Sequence, residues 1–447
     1  MKCWFFFLFL SVNVFANIHL APPNFDQDGV RNIYVDFKSA DYDLSYDVVW
    51  KRTRVKSVIT FFAQAEGYPI FDLVPEAKNA FLDGLPVSIG EITSPSGSKI
   101  RRVNTPVGPG LHILTLENSV KENVRYNPVS KSVSSAFWIR DLKERKFLEQ
   151  YVPSNFEYDQ YLMTLSISFL GIKKARQDIF TNGELTKTSP HSYRIVFPHY
   201  FTVSCPYFHT TPRGQKKKLQ FDYTSINGRV IPVTVYTSWW SSPLKFKSHI
   251  LNIFKELEAD YGPWAHPSFL AYETLPGTGG MEHSGATQTS LGALDHEMLH
   301  SYFAKGVMPA DGNAGWMDEA IASWRDYGYQ RKMLPDFSGS NLGKASVYQR
   351  HTDSRAYYLG REFMAYLDYR LQDVGGLKAF LKGYFEAYKH TVVTQEHFKN
   401  NLEFFSGIDF TETYNTYIWG QNDPKSSGPI IHPVHKKLTS RELLLLL

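Results

Sequence analysis

The segment Asp295-His296-Glu297-Met298-Leu299-His300 has the residue types and spacing for metal chemistry. Two histidines at i and i+4 share one helix face, so both imidazoles can reach one zinc ion. Glu297, beside the first histidine, projects close to the same point without having to bind it. It is placed to take a proton from a metal-activated water. Such a string also arises by chance in helices with two surface histidines, so a third ligand decides its meaning. Eighteen residues after His300 stands Glu319, in Gly315-Trp316-Met317-Asp318-Glu319-Ala320. The segment from Lys305 to Gly315, rich in Gly, Pro, Asp and Asn, reads as a loop, and Trp316 to Tyr327 as a second helix. A helix–loop–helix turn can return a carboxylate to the ion. His296, His300 and Glu319 then hold one Zn2+ per chain and leave a fourth position for water. Asp318 is the neighbouring alternative as ligand, and Asp318 or Asp326 could instead orient a ligand imidazole by hydrogen bonding.

These residues need elements to position them. A chain of 447 residues is long for one compact core, and 43% hydrophobic with 15% aromatic residues is ample for packed interiors. From about Val30 to Thr210 the text alternates or is rich in β-branched and aromatic residues, as in Val55 to Phe62, Leu111 to Leu116 and Leu162 to Phe169. Asn227-Gly228 predicts a hairpin between Leu219 to Tyr223 and Val230 to Tyr236. After Ser241 the pattern turns helical. Ser242-Pro243 fits a cap and first helical residue, with Leu244, Ile250, Phe254 and Leu257 at helical spacing, and Gly262-Pro263 as the stop. Further helices are expected around 288–305, 316–333, 354–373, 375–389 and 395–404, with an extended Gly-rich segment from Phe269 to Gly285. The expected fold class is α+β: a β domain over 17–212, then a mostly helical catalytic domain over 213–447.

The ends and the charge bound the setting. Met1-Lys2, an apolar run to Phe15, and small residues before a cut after Ala16 predict a cleaved secretory signal over 1–16. That run is too short for a comfortable span, which needs about 20 residues, so no stable membrane insertion is expected. Cleavage would remove Cys3 and leave Cys205 as the single cysteine, hence no internal disulfide. The short run Leu443 to Leu447 is not a span either. A secreted or periplasmic location follows. The formal net charge is only +4. The tight basic run Lys216-Lys217-Lys218 lies among turn residues and reads as a solvated loop, so no nucleic-acid partner is expected.

Three strings together resemble the zinc aminopeptidase N family of gluzincin metallopeptidases, which has leukotriene hydrolase among its members. The first is H-E-x-x-H, eighteen residues, then Glu. The second is the family's Gly-x-Met-Glu-Asn, matched by Gly279-Gly280-Met281-Glu282-His283, which ends thirteen residues before His296. The third is a Tyr three residues before a Gly, matched by Tyr357-Tyr358-Leu359-Gly360. The stretch Arg145 to Tyr161, with Pro153, is similar to the family's Arg-rich, Pro-containing stretch. The likeness is sharpest over about 240–420. It implies an N-terminal antiparallel β domain followed by a thermolysin-like domain, and hydrolysis of peptide substrates. Tyr357 is implied as the hydroxyl that stabilises the oxyanion, with Tyr358 its adjacent rival. Glu282 is implied as the carboxylate that pairs with a substrate's α-ammonium, which would make the enzyme an aminopeptidase. Gly279 and Gly280 would let substrate backbone approach the strand edge.

This chain departs from the family pattern at several places. His283 stands for the Asn that hydrogen-bonds substrate, Leu359 for a Lys, and Asp295 for a small neutral residue. Asp141 and Glu144 are candidates for the β-domain residue that meets the substrate amine. The sequence stops soon after Trp419, where larger members continue into a helical domain over the cleft. A short form with an open cleft, admitting longer peptides, is therefore expected. An endopeptidase using the same zinc, and an inactive scaffold of the same fold, are the alternatives.

Overall fold

The computed structural model describes residues 17–140, 142, 146–172, 177–275, 279–349 and 351–421. The expected signal segment, Asp141, Glu144, Arg145 and the closing leucines lie outside the described residues.

The first part of the chain is β structure. An eight-stranded sheet runs Glu184–Ser189, Ser192–Val196, Leu162–Leu170, Asp36–Asp47, Arg52–Ala63, Gly110–Ser119, Lys78–Leu82, Leu85–Pro86. Its central strands show why the alternation was readable: Tyr42, Leu44 and Tyr46, and on the neighbouring strand Val55, Ile59 and Phe61, all turn into one core. Most pairings are antiparallel. Two are not, Leu162–Leu170 on Asp36–Asp47 and Val30–Tyr34 on Tyr68–Phe71, and these mixed pairings join segments far apart in sequence. A five-stranded and a four-stranded sheet complete this layer, the last strand ending at Pro212.

A second sheet begins at Lys217. Its order is Lys217–Thr224, Val230–Thr237, Phe269–Glu273, Ala286–Thr289, Met281–His283. The first two form the expected hairpin, with Gly228 at φ +83°, a conformation only glycine adopts without strain. The short strand Met281–His283 pairs antiparallel with Ala286–Thr289 and ends the sheet, so one side of it is an edge.

Among the described residues seven α-helices follow, α1 (Pro243–Tyr261), α2 (Leu294–Leu299), α3 (Trp316–Asp326), α4 (Leu359–Arg370), α5 (Gly376–Tyr388), α6 (Gln395–Ser406) and α7 (Thr411–Tyr417). In α1, Pro243 starts the helix and the Gly262 N–H closes it on the Glu258 carbonyl. The buried stripe is Phe246, Ile250, Ile253, Phe254, Leu257 and Tyr261, whereas Leu244 is exposed. The helix expected over 288–305 is much shorter, because Ala286–Thr289 pairs as a strand and the chain turns sharply after His300. Among the described residues no helix is long and apolar enough to cross a membrane. The helices share one core, and the β layer another that also takes in Met281, Met308, Ala310 and Val392.

Candidate metal centre

Helix α2 presents His296 from its middle, and His300 follows its last residue with helical φ and ψ of −59° and −20°. Glu319 comes from the first turn of α3, beside them. Their ligand atoms all lie within 4.8 Å of one another. The two Nε2 atoms are 3.1 Å apart, and Glu319 Oε2 is 3.2 Å from His296 Nε2 and 3.6 Å from His300 Nε2. Bonds of about 2.0–2.2 Å to a tetrahedral zinc would set its donors about 3.3–3.6 Å apart. The three side chains therefore fit the ion with almost no rearrangement.

Electrostatics agree with the geometry. The outer nitrogen of His296, Nδ1, meets Asp326 Oδ2 at 2.7 Å, which fixes the ring and leaves Nε2 facing Glu319. Burial works against charge on His296. The hydrogen bonds to Asp326 and Glu319 and the charges of Glu319 and Glu297 overcome it and raise its pKa to about 11. Burial would likewise raise Asp326, yet the His296 bond and the neighbouring Arg325 hold it below the usual carboxylate range. Carboxylates thus draw positive charge to this point, the condition a divalent ion satisfies. The Oδ1 of Asp318, the neighbouring residue on α3, accepts the Glu319 N–H at 2.6 Å.

Helix packing keeps these parts in register. Arg325 on α3 makes a two-point pair with Glu256 on α1, at 3.0 and 2.8 Å. Asp295 Oδ1 lies 2.5 Å from His249 Nε2, tying α2 to α1 as well. Asp295, unusual for the family resemblance, is accounted for by that contact.

Glu297 is buried, and its carboxylate lies directly against Gly280. A Cβ on Gly280 would stand 2.2 Å from Glu297 Oε1. A side chain at position 280 would thus push the general-base candidate out of this place. Gly279 has φ +74° and open space where a side chain would be. Tyr357 lies in the short 3-10 turn Ser354–Tyr357 before α4. Its hydroxyl donates to Glu319 Oε1 at 2.6 Å, and its ring stacks on His296 at a centroid distance of 5.9 Å. Tyr358 points elsewhere, its ring under Arg361. The Tyr-x-x-Gly spacing has a physical cause: a Cβ on Gly360 would come within 2.6 Å of the Ala320 Cβ. Only a bare glycine lets α4 settle on α3 at the point that carries Tyr357 over Glu319.

The rest of the Gly279–His283 string divides by strand alternation. Met281 and His283 turn to one side. Met281 joins the β-layer core, and His283 is fully buried, with Nδ1 3.0 Å from the Pro206 carbonyl and its ring 4.9 Å from that of Tyr207. Glu282 turns to the other side, with Gly280. It is also buried, and Lys305 Nζ stands 3.3 Å from its Oε1. Lys305 carried no signal in the sequence. It lies five residues past His300 in a turn, with its N–H on the His300 carbonyl.

Comparison with family models and with curated protein sequences finds no match. Solved structures do match in fold. The M1 zinc metallopeptidase from Deinococcus radiodurans has a TM-score of 0.60 at 15% identity, over 89% of this chain and 97% of that one. A mutant of that enzyme bound to a Tyr-Ser-Ala substrate gives 0.61 at 14% identity, over 90% and 96%. Native yeast LTA4 hydrolase gives 0.60 at 14%, over 90% of this chain and 69% of that one. The chain thus has the two-part fold of M1 zinc metallopeptidases, an N-terminal β layer and a later helical part.

Proposed function

We propose that this protein is a zinc-dependent peptide hydrolase. The observation that carries the reading is the convergence of His296, His300 and Glu319 at ligating separation, flanked by Glu297 and Tyr357. Its fold likeness to M1 zinc metallopeptidases, one of them seen with a bound tripeptide, supports it. When bound, zinc would supply Lewis acidity to the scissile carbonyl and to a water of lowered pKa. The chain's residues do the rest. Glu297 holds the proton taken from the nucleophile and passes it to the leaving amine. Tyr357, partly exposed beside the metal ligands, donates its hydroxyl to the developing oxyanion. The edge strand Met281–His283 can take an extended peptide as an added strand. Export by the segment 1–16 belongs to the same reading, with action on peptides outside the cytoplasm.

The test is a zinc assay on the purified chain with Tyr-Ser-Ala hydrolysis, with and without chelator. One equivalent of zinc and chelator-sensitive cleavage are expected. Zinc bound with no peptide cut would leave the inactive scaffold as the better account. The finer expectation, release of single N-terminal residues, rests on Glu282 meeting a substrate ammonium. The cation already beside Glu282 weighs against it.

A further inference from the structure

The position that would read a substrate's amine is occupied by charge from the chain itself. Glu282 and Gly280 are two residues apart along an extended segment and share a face, and Gly280 presses on the Glu297 carboxylate. Side chains so spaced sit about 6.6–6.8 Å apart along a strand. Glu282 therefore lies about two strand residues along from the point that faces the general base, on the side where a substrate's backbone nitrogen would come. Its partner Lys305 is fixed from both ends. The Lys305 N–H donates to the His300 carbonyl, and the Lys305 carbonyl accepts from Ser284 Oγ at 3.1 Å, between the metal helix and the strand turn. The side chains of Lys305 and Glu282 are only 1% and 4% exposed, so neither charge is screened by solvent.

From this arrangement, and resting on the peptidase reading above, we propose that Lys305 neutralises Glu282, so that the site binds peptides by an uncharged amide nitrogen and does not require a free α-ammonium. The physical reason is the sum of charges. A lone buried carboxylate would draw in an ammonium strongly, because each compensates the other's desolvation. Beside a carboxylate already paired, an incoming ammonium meets a second cation within the same buried pocket. It must displace a lysine anchored by its own backbone or accept like-charge repulsion. An amide N–H carries no net charge and meets neither obstacle, while the Lys305 ammonium is a donor for a substrate carbonyl. The substrates implied are internal bonds of longer peptides and N-blocked peptides.

The experiment compares zinc-loaded wild type on Tyr-Ser-Ala and on its N-acetylated form, with binding of both to the zinc-loaded Glu297→Gln variant by calorimetry. Cleavage rates and affinities within about threefold of each other are expected, since a neutral pocket gives no charge discrimination. Lys305→Met should then gain a preference for the free amine of about tenfold or more, because the Lys305 charge that opposes an incoming ammonium beside Glu282 is removed. The paired variant Glu282→Gln with Lys305→Met, which buries no charge, keeps the indifference if Lys305→Met alone folds poorly. Wild type that cuts and binds only the free-amine peptide overturns the proposal and leaves the peptidase standing. A zinc-loaded protein that neither binds nor cuts either peptide removes both.

Discussion

Glu319 and Glu282 are both buried carboxylates in the same half of the molecule, and the fold compensates them in opposite ways. Around Glu319 it gathers histidines and further carboxylates, and Arg325, on the same helix, is held in a two-point pair with Glu256. Negative charge gathered there suits a cation. Around Glu282 a lysine ammonium is already in place, 3.3 Å away. One site brings ligand atoms to separations that fit a metal ion, and the other already has its counter-charge. A carboxylate in a matching sequence string can be a ligand, a recognition group or half of a closed ion pair. Only its surroundings decide which.

Breaking the metal pocket should have the largest effects. Glu297→Gln removes the proton acceptor while leaving His296, His300 and Glu319 untouched. Hydrolysis should fall about 10²–10⁴-fold with zinc content unchanged by elemental analysis; equal loss of zinc would move Glu297 into the ligand set. Tyr357→Phe comes next, with kcat down about 10²–10³-fold and KM little altered, because the hydroxyl matters where charge develops. Tyr358→Phe is its control and should stay near wild type. If the two variants behave alike, the assignment from the Glu319 contact is wrong. Asp326→Asn is milder. It loosens the His296 ring without removing a ligand, and zinc affinity measured by chelator competition should drop about 10–100-fold.

The same contrast shows what could be read in the sequence. His296, His300 and Glu319 were legible because a four-residue helical step and a loop between two helices fix their geometry locally. Tyr357 was legible only as one of two neighbours. The choice was hidden in Gly360, whose missing Cβ sets how closely α4 meets α3. The α+β order was plain from alternation giving way to helical spacing, but the parallel pairing of Leu162–Leu170 with Asp36–Asp47 was not, because it is a long-range contact between strands of ordinary composition. Alternation along Met281–His283 already separates His283 from Glu282, a signal present in the sequence and masked by reading the string as one unit. Lys305 could not be found at all. Its ammonium reaches Glu282 across a turn whose path no residue between His300 and Glu319 announces.

The β layer offers a third way of compensating a buried carboxylate, and the smallest predicted effect. Asp159 is fully buried, accepting from the Phe37 N–H at 2.8 Å and from Asn155 Nδ2 at 2.5 Å. Burial, then the charge of Asp36, pushes its pKa up to about 8, so it holds a proton where Glu282 faces a lysine and Glu319 faces two histidines. The unfolded value is about 3.9. Between those two values the folded chain binds the extra proton. Its stability should therefore fall as pH rises from about 4 through 8. Asp159→Asn keeps a carbonyl oxygen for both hydrogen bonds and removes the ionisation. Thermal unfolding at pH 6 and pH 9 should show the wild type losing more than the variant, a difference on the order of 1–3 kcal/mol. Zinc content and peptide cleavage should not change, since Asp159 belongs to the β layer and touches neither pocket. Parallel pH slopes for the two proteins would mean that Asp159 is charged in the fold, with Lys38 near Asp36 supplying more compensation than burial removes.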